Sequence, residues 1–176
     1  MKIIKFTKAA IKDYRRVGAI VPSSGYISRR IGKMVSGDLV LEYGAGNGVI
    51  TKEILKGLSS EAKLIAFELN DEFFKELQEI KDARLLSLHE DARKAEDYLD
   101  TAADTVVSGV PFSLMKKKER EEIISNTASL IRPGGVFLVY QTSLIVLPVL
   151  KKYFSEVKIK FEPRNFPPYF IMIAKK

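Results

Sequence analysis

The sequence predicts a single α/β domain built on a mostly parallel, doubly wound sheet that closes with an antiparallel hairpin. Three observations lead there. From residue 38 onward strand-like and helix-like segments alternate, the pattern of a parallel sheet with crossover helices. A loop with glycines at 44, 46 and 48 follows the first apolar run and opens the first helix after it. Near Lys176 two strand-like segments are joined by a turn too short for a crossover helix, so they must be antiparallel neighbours.

The elements are expected in this order. The apolar run Leu39-Val40-Leu41 marks a first strand over 38–42, and a helix over 49–56 follows the glycines. Further strands are expected over 63–68, 84–88, 105–108 and 135–141, with helices over 71–81, 116–131 and 144–153. Pro133-Gly134-Gly135 is expected to stop the longest helix and feed the next strand. The closing strands are expected over 156–161 and 169–174, around the turn Glu162-Pro163-Arg164-Asn165-Phe166-Pro167-Pro168. At 176 residues there is room for one ordinary domain, read as a basic N-terminal segment over 1–37 followed by the main body over 38–176.

Composition narrows the chemistry. With 46% hydrophobic and 29% charged residues the chain has the make-up of a folded protein rather than a disordered one. It holds no cysteine, which excludes disulfides, thiolate zinc sites and thiol nucleophiles. Its one histidine, His89, has no clustered partners and is expected to be structural or solvent-exposed; no metal is expected. No run approaches the roughly 20 apolar residues of a transmembrane helix, and the first residues lack the apolar stretch of a secretion signal, so a cytoplasmic location is expected.

Charge is unevenly placed. Residues 1–37 carry nine Lys and Arg against Asp13 alone, while the other 139 residues hold twenty bases and twenty-one acids, so all of the net +7 originates in the first segment. Projected at about 100° per residue, residues 2–18 put Ile3, Ile4, Phe6, Ala10, Ile11, Tyr14 and Val17 on one side of a helix. Lys2, Lys5, Lys8, Lys12, Arg15 and Arg16 fall on the other. An apolar face opposite a basic one is the make-up of an interfacial helix, and these six cations are the expected contacts to an anionic membrane surface.

The glycine loop raises the question of its ligand. A dinucleotide fingerprint would place a third glycine where Val49 stands, and no Gly-Lys-Ser/Thr of a P-loop follows. Glu42, at the end of the first strand, is an awkward neighbour for phosphate and suits a ligand carrying positive charge. The run Glu42-Tyr43-Gly44-Ala45-Gly46-Asn47-Gly48 resembles the E-x-G-x-G-x-G signature of class I S-adenosylmethionine-dependent methyltransferases. That resemblance implies a Rossmann-like sheet of seven strands, S-adenosyl-L-methionine as methyl donor and S-adenosyl-L-homocysteine as product. Glu68, twenty residues past Gly48, stands where a carboxylate accepts from both ribose hydroxyls. Asp91 is placed to accept from the adenine amino group. Ala45, Leu69, Ala92 and Ser108 complete the expected cofactor contacts, although a strand-ending acid is often only a helix cap.

Three further stretches narrow the resemblance: VGAIVPSSGYISRRI from Val17, SGVPF from Ser108, and RNFPP from Arg164. Together they resemble the soluble, membrane-associated bacterial phospholipid N-methyltransferases. The resemblance implies stepwise methylation of phosphatidylethanolamine to phosphatidylcholine, on an anionic membrane reached through the N-terminal helix. The chain is also similar to ribosomal RNA adenine dimethyltransferases, whose acceptor motif is of Asn-Leu-Pro-Tyr type and which continue into a helical domain that is not expected after Lys176. Gly109-Val110-Pro111-Phe112 stands in the motif's place, and its glycine offers no side-chain acceptor for a planar adenine amine, so lipid is favoured over RNA. A glycine loop reading Tyr43-Gly44-Ala45-Gly46-Asn47-Gly48, where the lipid family commonly has Leu-Gly-Pro-Gly-Thr-Gly, is a departure that bears on substrate more than on cofactor.

For the acceptor, the backbone around Gly109 and Val110 with Pro111 is expected to orient the amine. Phe112, Tyr26, Tyr140 and Tyr169 are the candidate aromatic faces for a methylated ammonium, and Arg164 the candidate partner for a lipid phosphate.

Overall fold

The structure is a computed structural model that describes residues 25–176. The proposed interfacial helix, with Lys2, Lys5, Lys8, Lys12, Arg15 and Arg16, lies outside the described residues.

In chain order the elements are α1 (Gly25–Gly32), β1 (Leu39–Tyr43), α2 (Val49–Gly57), β2 (Lys63–Phe67), α3 (Asp71–Gln78) and β3 (Leu85–Leu88). A 3₁₀ segment (Ala92–Tyr98) leads to β4 (Ala103–Ser108), and a shorter one (Phe112–Leu114) leads to α4 (Lys117–Leu130). The chain finishes with β5 (Ile131–Gln141), α5 (Leu147–Tyr153), β6 (Glu156–Glu162) and β7 (Tyr169–Lys175). The seven strands form one sheet in the order β3-β2-β1-β4-β5-β7-β6, with β7 antiparallel to both of its neighbours and the other pairs parallel.

Side chains alternate across this sheet because successive residues of a strand point to opposite faces. Leu41, Tyr43, Ile65, Phe67, Val106, Phe137 and Val139 enter one core with residues of α4 and α5. Val40, Leu64, Val107, Leu138, Tyr140 and Ile171 enter the other, against Ile27 and Ile31 of α1 and Ile50 and Ile54 of α2. Residues 25–32 therefore pack with the sheet. Both faces are covered, which is why β1 and β2 read as nearly unbroken apolar runs.

Several element ends differ from expectation. The longest helix stops at Leu130, before Pro133-Gly134-Gly135, and β5 begins immediately. The proline and glycines fall inside β5, at the register shift between Ala103 and Thr105 of its neighbour. The helix expected to reach residue 81 ends at Gln78, and α5 starts at Leu147 rather than 144. The 3₁₀ segment at 92–98 has no counterpart in the sequence reading, because its period matches neither the helix nor the strand pattern.

Strand order reverses between β1 and β4, the first of which leads outward to β2 and the second to β5. The crevice beyond the carboxyl ends of these strands is where an open α/β sheet takes its ligand.

Candidate active site at the carboxyl edge

At the end of β1 the chain makes three left-handed turns, at Gly44 (φ 68°), Gly46 (φ 58°) and Gly48 (φ 78°). Such angles cost an L-residue about 1–2 kcal/mol, which explains the alternate spacing of the glycines. Their surroundings differ. A Cβ on Gly48 would stand 2.4 Å from Ile80 Cδ1, one on Gly44 would touch Val110, and one on Gly46 would meet nothing within 4 Å. The loop is anchored through Gly44 and Ala45, whose N–H groups donate to the Phe67 carbonyl at 2.9 and 3.1 Å, while Gly46 faces open space.

Glu68 ties this loop to the next one. Its two carboxylate oxygens accept from Gly46 N–H and Asn70 N–H, each at 2.7 Å. Burial raises its carboxyl above the ordinary range, against the pull of these donors. Each oxygen keeps a second lone pair, so ribose hydroxyls can still donate to it. A phosphate, by contrast, would find the Gly46 N–H already given to a carboxylate. The cap of α3 is Asn70, whose side chain accepts from Glu72 and Phe73 N–H, so Glu68 is not spent on capping.

Glu42 departs from expectation. It is fully buried on the α2 side of β1, where Thr51 donates to Oε2 at 2.6 Å, and Oε1 has no hydrogen-bond partner. Burial, reinforced by the charge of Glu68 and opposed by the Thr51 bond, pushes its carboxyl up to about 8. Glu42 therefore joins β1 to α2 beneath the loop rather than lying open beside a ligand.

Asp91 departs further. Its carboxylate accepts from the N–H of Arg93 at 2.9 Å and from the same residue's guanidinium, capping the 3₁₀ segment that begins at Ala92. Burial pulls its carboxyl upward, and the Arg93 donors outweigh this and leave it below the usual range. The capping role, not a free adenine acceptor, is what its side chain shows. His89 stacks on Phe74, with ring centroids 4.8 Å apart, and lies 3.2 Å from the Leu69 carbonyl, so it lines the rim between the β2 and β3 loops. A lone histidine carries no spacing signal, so the place of His89 on this rim is not legible in the chain.

The loop after β4 closes over the first one. Gly109 N–H donates to the Tyr43 carbonyl at 2.9 Å, and buried Ser108 accepts at Oγ from Val110 N–H at 3.3 Å. A Cβ on Gly109 would lie 2.0 Å from the Tyr140 hydroxyl and 3.2 Å from the Gly44 carbonyl. Glycine is thus required at 109 because Tyr140 occupies the room a side chain would take, a coupling between β4 and β5 that local sequence does not reveal.

The expected aromatic cage is not assembled. Phe112 is completely buried in the core below the loop and cannot face an acceptor. Tyr140 and Tyr169 pack on one another at 6.0 Å between centroids, both buried. Tyr26 is half exposed, but the guanidiniums of Arg29 and Arg164 lie over its ring at 5.5 and 4.7 Å. Arg164 is bound bidentately to buried Glu162, at 2.7 and 2.8 Å. Arg30 binds the same carboxylate at 2.8 Å, and the Arg164 and Arg30 hydrogen bonds outweigh burial and hold Glu162 down at about 2.

A sequence model described as a methyltransferase domain matches residues 40–135, from β1 into β5. The chain belongs to that methyltransferase family. This methyltransferase is 28% identical over 162 residues to an ornithine lipid N-methyltransferase of Singulisphaera acidiphila, covering 86% of this chain and 84% of the relative. Its fold is similar to that of 1,6-didemethyltoxoflavin-N1-methyltransferase from Burkholderia thailandensis, solved with its substrate and S-adenosylhomocysteine. That match has a TM-score of 0.73 at 16% identity over 98% of this chain and 88% of the other. A 16S rRNA N2 G1207 methyltransferase from T. thermophilus, solved with AdoMet and guanosine, has a TM-score of 0.65 at 23% identity, over 85% of this chain and 40% of the other. The cofactor of this methyltransferase is S-adenosyl-L-methionine, and the site fits it: the Glu68 carboxylate stands at the loop edge with lone pairs for hydroxyl donors, and the open glycine, Gly46, has no N–H free to cradle a phosphate. Among the described residues no group of His, Asp and Glu could hold a metal ion, and no helix is long and apolar enough to cross a membrane.

Proposed function

We propose that this methyltransferase acts on the alkyl amine of a membrane phospholipid, phosphatidylethanolamine, giving methylated derivatives up to phosphatidylcholine. The observation that carries this reading is the pairing of Gly109 with the Tyr140 hydroxyl. Where an adenine-modifying site would need an amide side chain, the chain has a glycine that tolerates none. Similarity to a relative named for a lipid amine acceptor supports the same class.

S-adenosyl-L-methionine, when bound, supplies the electrophilic methyl group, so the protein's part is binding and orientation. Glu68 is proposed to hold the ribose, with Leu69 and Ala92 beside the adenine and the open face of Gly46 against the methionine portion. Ala45 and Ser108 support the two loops. An alkylammonium resembles lysine, with a pKa near 10, so about one molecule in a thousand is nucleophilic at pH 7. The carbonyls of Gly109 and Val110, with Pro111 fixing the turn, are proposed to orient the free amine by accepting its N–H hydrogen bonds, and the proton released as the new N–methyl bond forms leaves to water. The reaction takes place at the membrane surface, to which Lys2, Lys5, Lys8, Lys12, Arg15 and Arg16 are proposed to attach the protein peripherally.

Labelled S-adenosyl-L-methionine offered with phosphatidylethanolamine vesicles, ornithine lipid vesicles and undermethylated ribosomal RNA tests this. Label is expected in phosphatidylethanolamine. Label confined to ornithine lipid would move the acceptor within the lipid amines, and label confined to RNA would overturn the reading.

A further inference from the structure

Three of the large apolar side chains that the described fold leaves exposed lie on the β6–β7 hairpin: Ile159 at 42%, Phe161 at 49% and Phe166 at 85%. Phe161 packs on Phe170 across the hairpin, 5.2 Å between centroids, and Phe166 stands at the tip of the turn. Among the described residues β6 is an edge strand, with β7 as its neighbour on one side and no strand on the other.

Charge lies on the opposite face of the same strand, since Lys158 and Lys160 alternate with Ile159 and Phe161. Lys158 and Lys160 are exposed on β6, and Arg164 of the turn and Arg29 of α1 meet over Tyr26. The acids nearby are spent. Glu162 is buried under Arg30 and Arg164, and Glu156 pairs with Lys158 at 3.0 Å. Lysines on an edge strand ordinarily serve to prevent edge-to-edge pairing. That role does not explain three exposed apolar residues on the same hairpin, one at the very tip.

Position decides what this corner meets. β7 starts opposite the end of β5, since Phe170 pairs with Gln141, so the hairpin turn lies on the same edge as the glycine loop and Gly109. Between β4 and β6 stand β5 and β7, so the corner is three strand spacings, about 14 Å, from the proposed transfer point. The arginines at this corner are therefore set to meet surroundings of the acceptor rather than the reacting head group.

We infer that the β6–β7 hairpin, with Tyr26 and Arg29 of α1, is a docking edge for an anionic phospholipid bilayer, separate from the N-terminal segment. The aromatic tip enters the head-group layer, exposed Lys160 and Arg29 add to the pull on anionic lipid, and the carboxyl edge of the sheet is turned toward the surface. This inference rests on the proposed lipid acceptor.

Full-length protein is tested by co-sedimentation with vesicles of equal parts phosphatidylglycerol and phosphatidylcholine, and with phosphatidylcholine alone. Phe166→Ser, and separately the pair Lys158→Gln and Lys160→Gln, should each weaken binding to the mixed vesicles about tenfold, the scale expected for lost surface cations or an interfacial aromatic. Both variants should methylate phosphatidylethanolamine in neutral detergent micelles as the parent does, which excludes a folding defect. Unchanged vesicle affinity in both would overturn the inference, as would self-association of the lysine variant with vesicle binding intact, the signature of mere edge protection. If the parent methylates no lipid amine in any form, the acceptor reading fails, and the vesicle comparison still decides the docking edge.

Discussion

At the scale of single residues, two glycines of one loop carry different loads. Gly46 and Gly48 share left-handed angles, so alanine at either costs about 1–2 kcal/mol of stability. The methyl of Gly46→Ala would stand in open space on the face proposed for the cofactor, whereas that of Gly48→Ala would press on Ile80 and Leu77. Gly46→Ala should therefore lose at least about tenfold in cofactor affinity by calorimetry, the equivalent of ~1.4 kcal/mol, with modest loss of melting temperature. Gly48→Ala should show the larger thermal loss and the smaller loss of affinity; the reverse order would place the cofactor elsewhere. Glu42 makes a pH prediction. Its carboxyl is raised from 4.5 to about 8 by folding, so below pH 4.5 it is protonated in both states and costs no stability. As pH rises toward 8 the unfolded chain ionises and the folded one does not, and stability is progressively lost. Glu42→Gln keeps an acceptor for Thr51 without this linkage. The melting temperature of the variant relative to the parent should climb between pH 5 and 8, and a flat difference would show that Glu42 is ionised in the fold.

At the scale of elements, α1 and the segment before it divide the N-terminal charge between two tasks. α1 is held by Ile27 and Ile31, both fully buried against β1 and α2, and by Arg30 on Glu162. The six cations proposed for the membrane all precede it. Removing residues 1–16 should leave cofactor affinity unchanged, because every proposed cofactor contact lies from β1 onward. The same truncation should reduce sedimentation with anionic vesicles, and the intact protein's binding should weaken with salt as the Debye length contracts from about 10 Å at 0.1 M to about 3 Å at 1 M. Vesicle binding that survives truncation in full would assign attachment to the hairpin edge alone.

At the scale of the whole molecule, the sheet and the glycine loop were legible in the chain because they rest on local chemistry. Alternation of apolar runs with helical segments, glycines where φ is positive, and a short turn between the last strands are each satisfied by neighbours in sequence. The roles of the acids were not so legible. Spacing placed Glu42, Glu68 and Asp91 alike at strand ends, yet one is sealed beneath α2, one bridges two loops and one caps a 3₁₀ turn. What separates them is which donor the packed chain brings within reach, Thr51, Gly46 or Arg93, and no periodicity encodes that. Phe112, Tyr140 and Tyr169 likewise resembled an open aromatic set until burial assigned them to packing. By itself the sequence determined the fold class, from backbone conformation and residue type over short stretches, and pointed to the cofactor through the resemblance of residues 42–48 to a methyltransferase signature. Only the tertiary structure decided that Gly109 answers to Tyr140, and that Arg164 and Arg29 meet over Tyr26, because these contacts join strands and helices far apart in the chain.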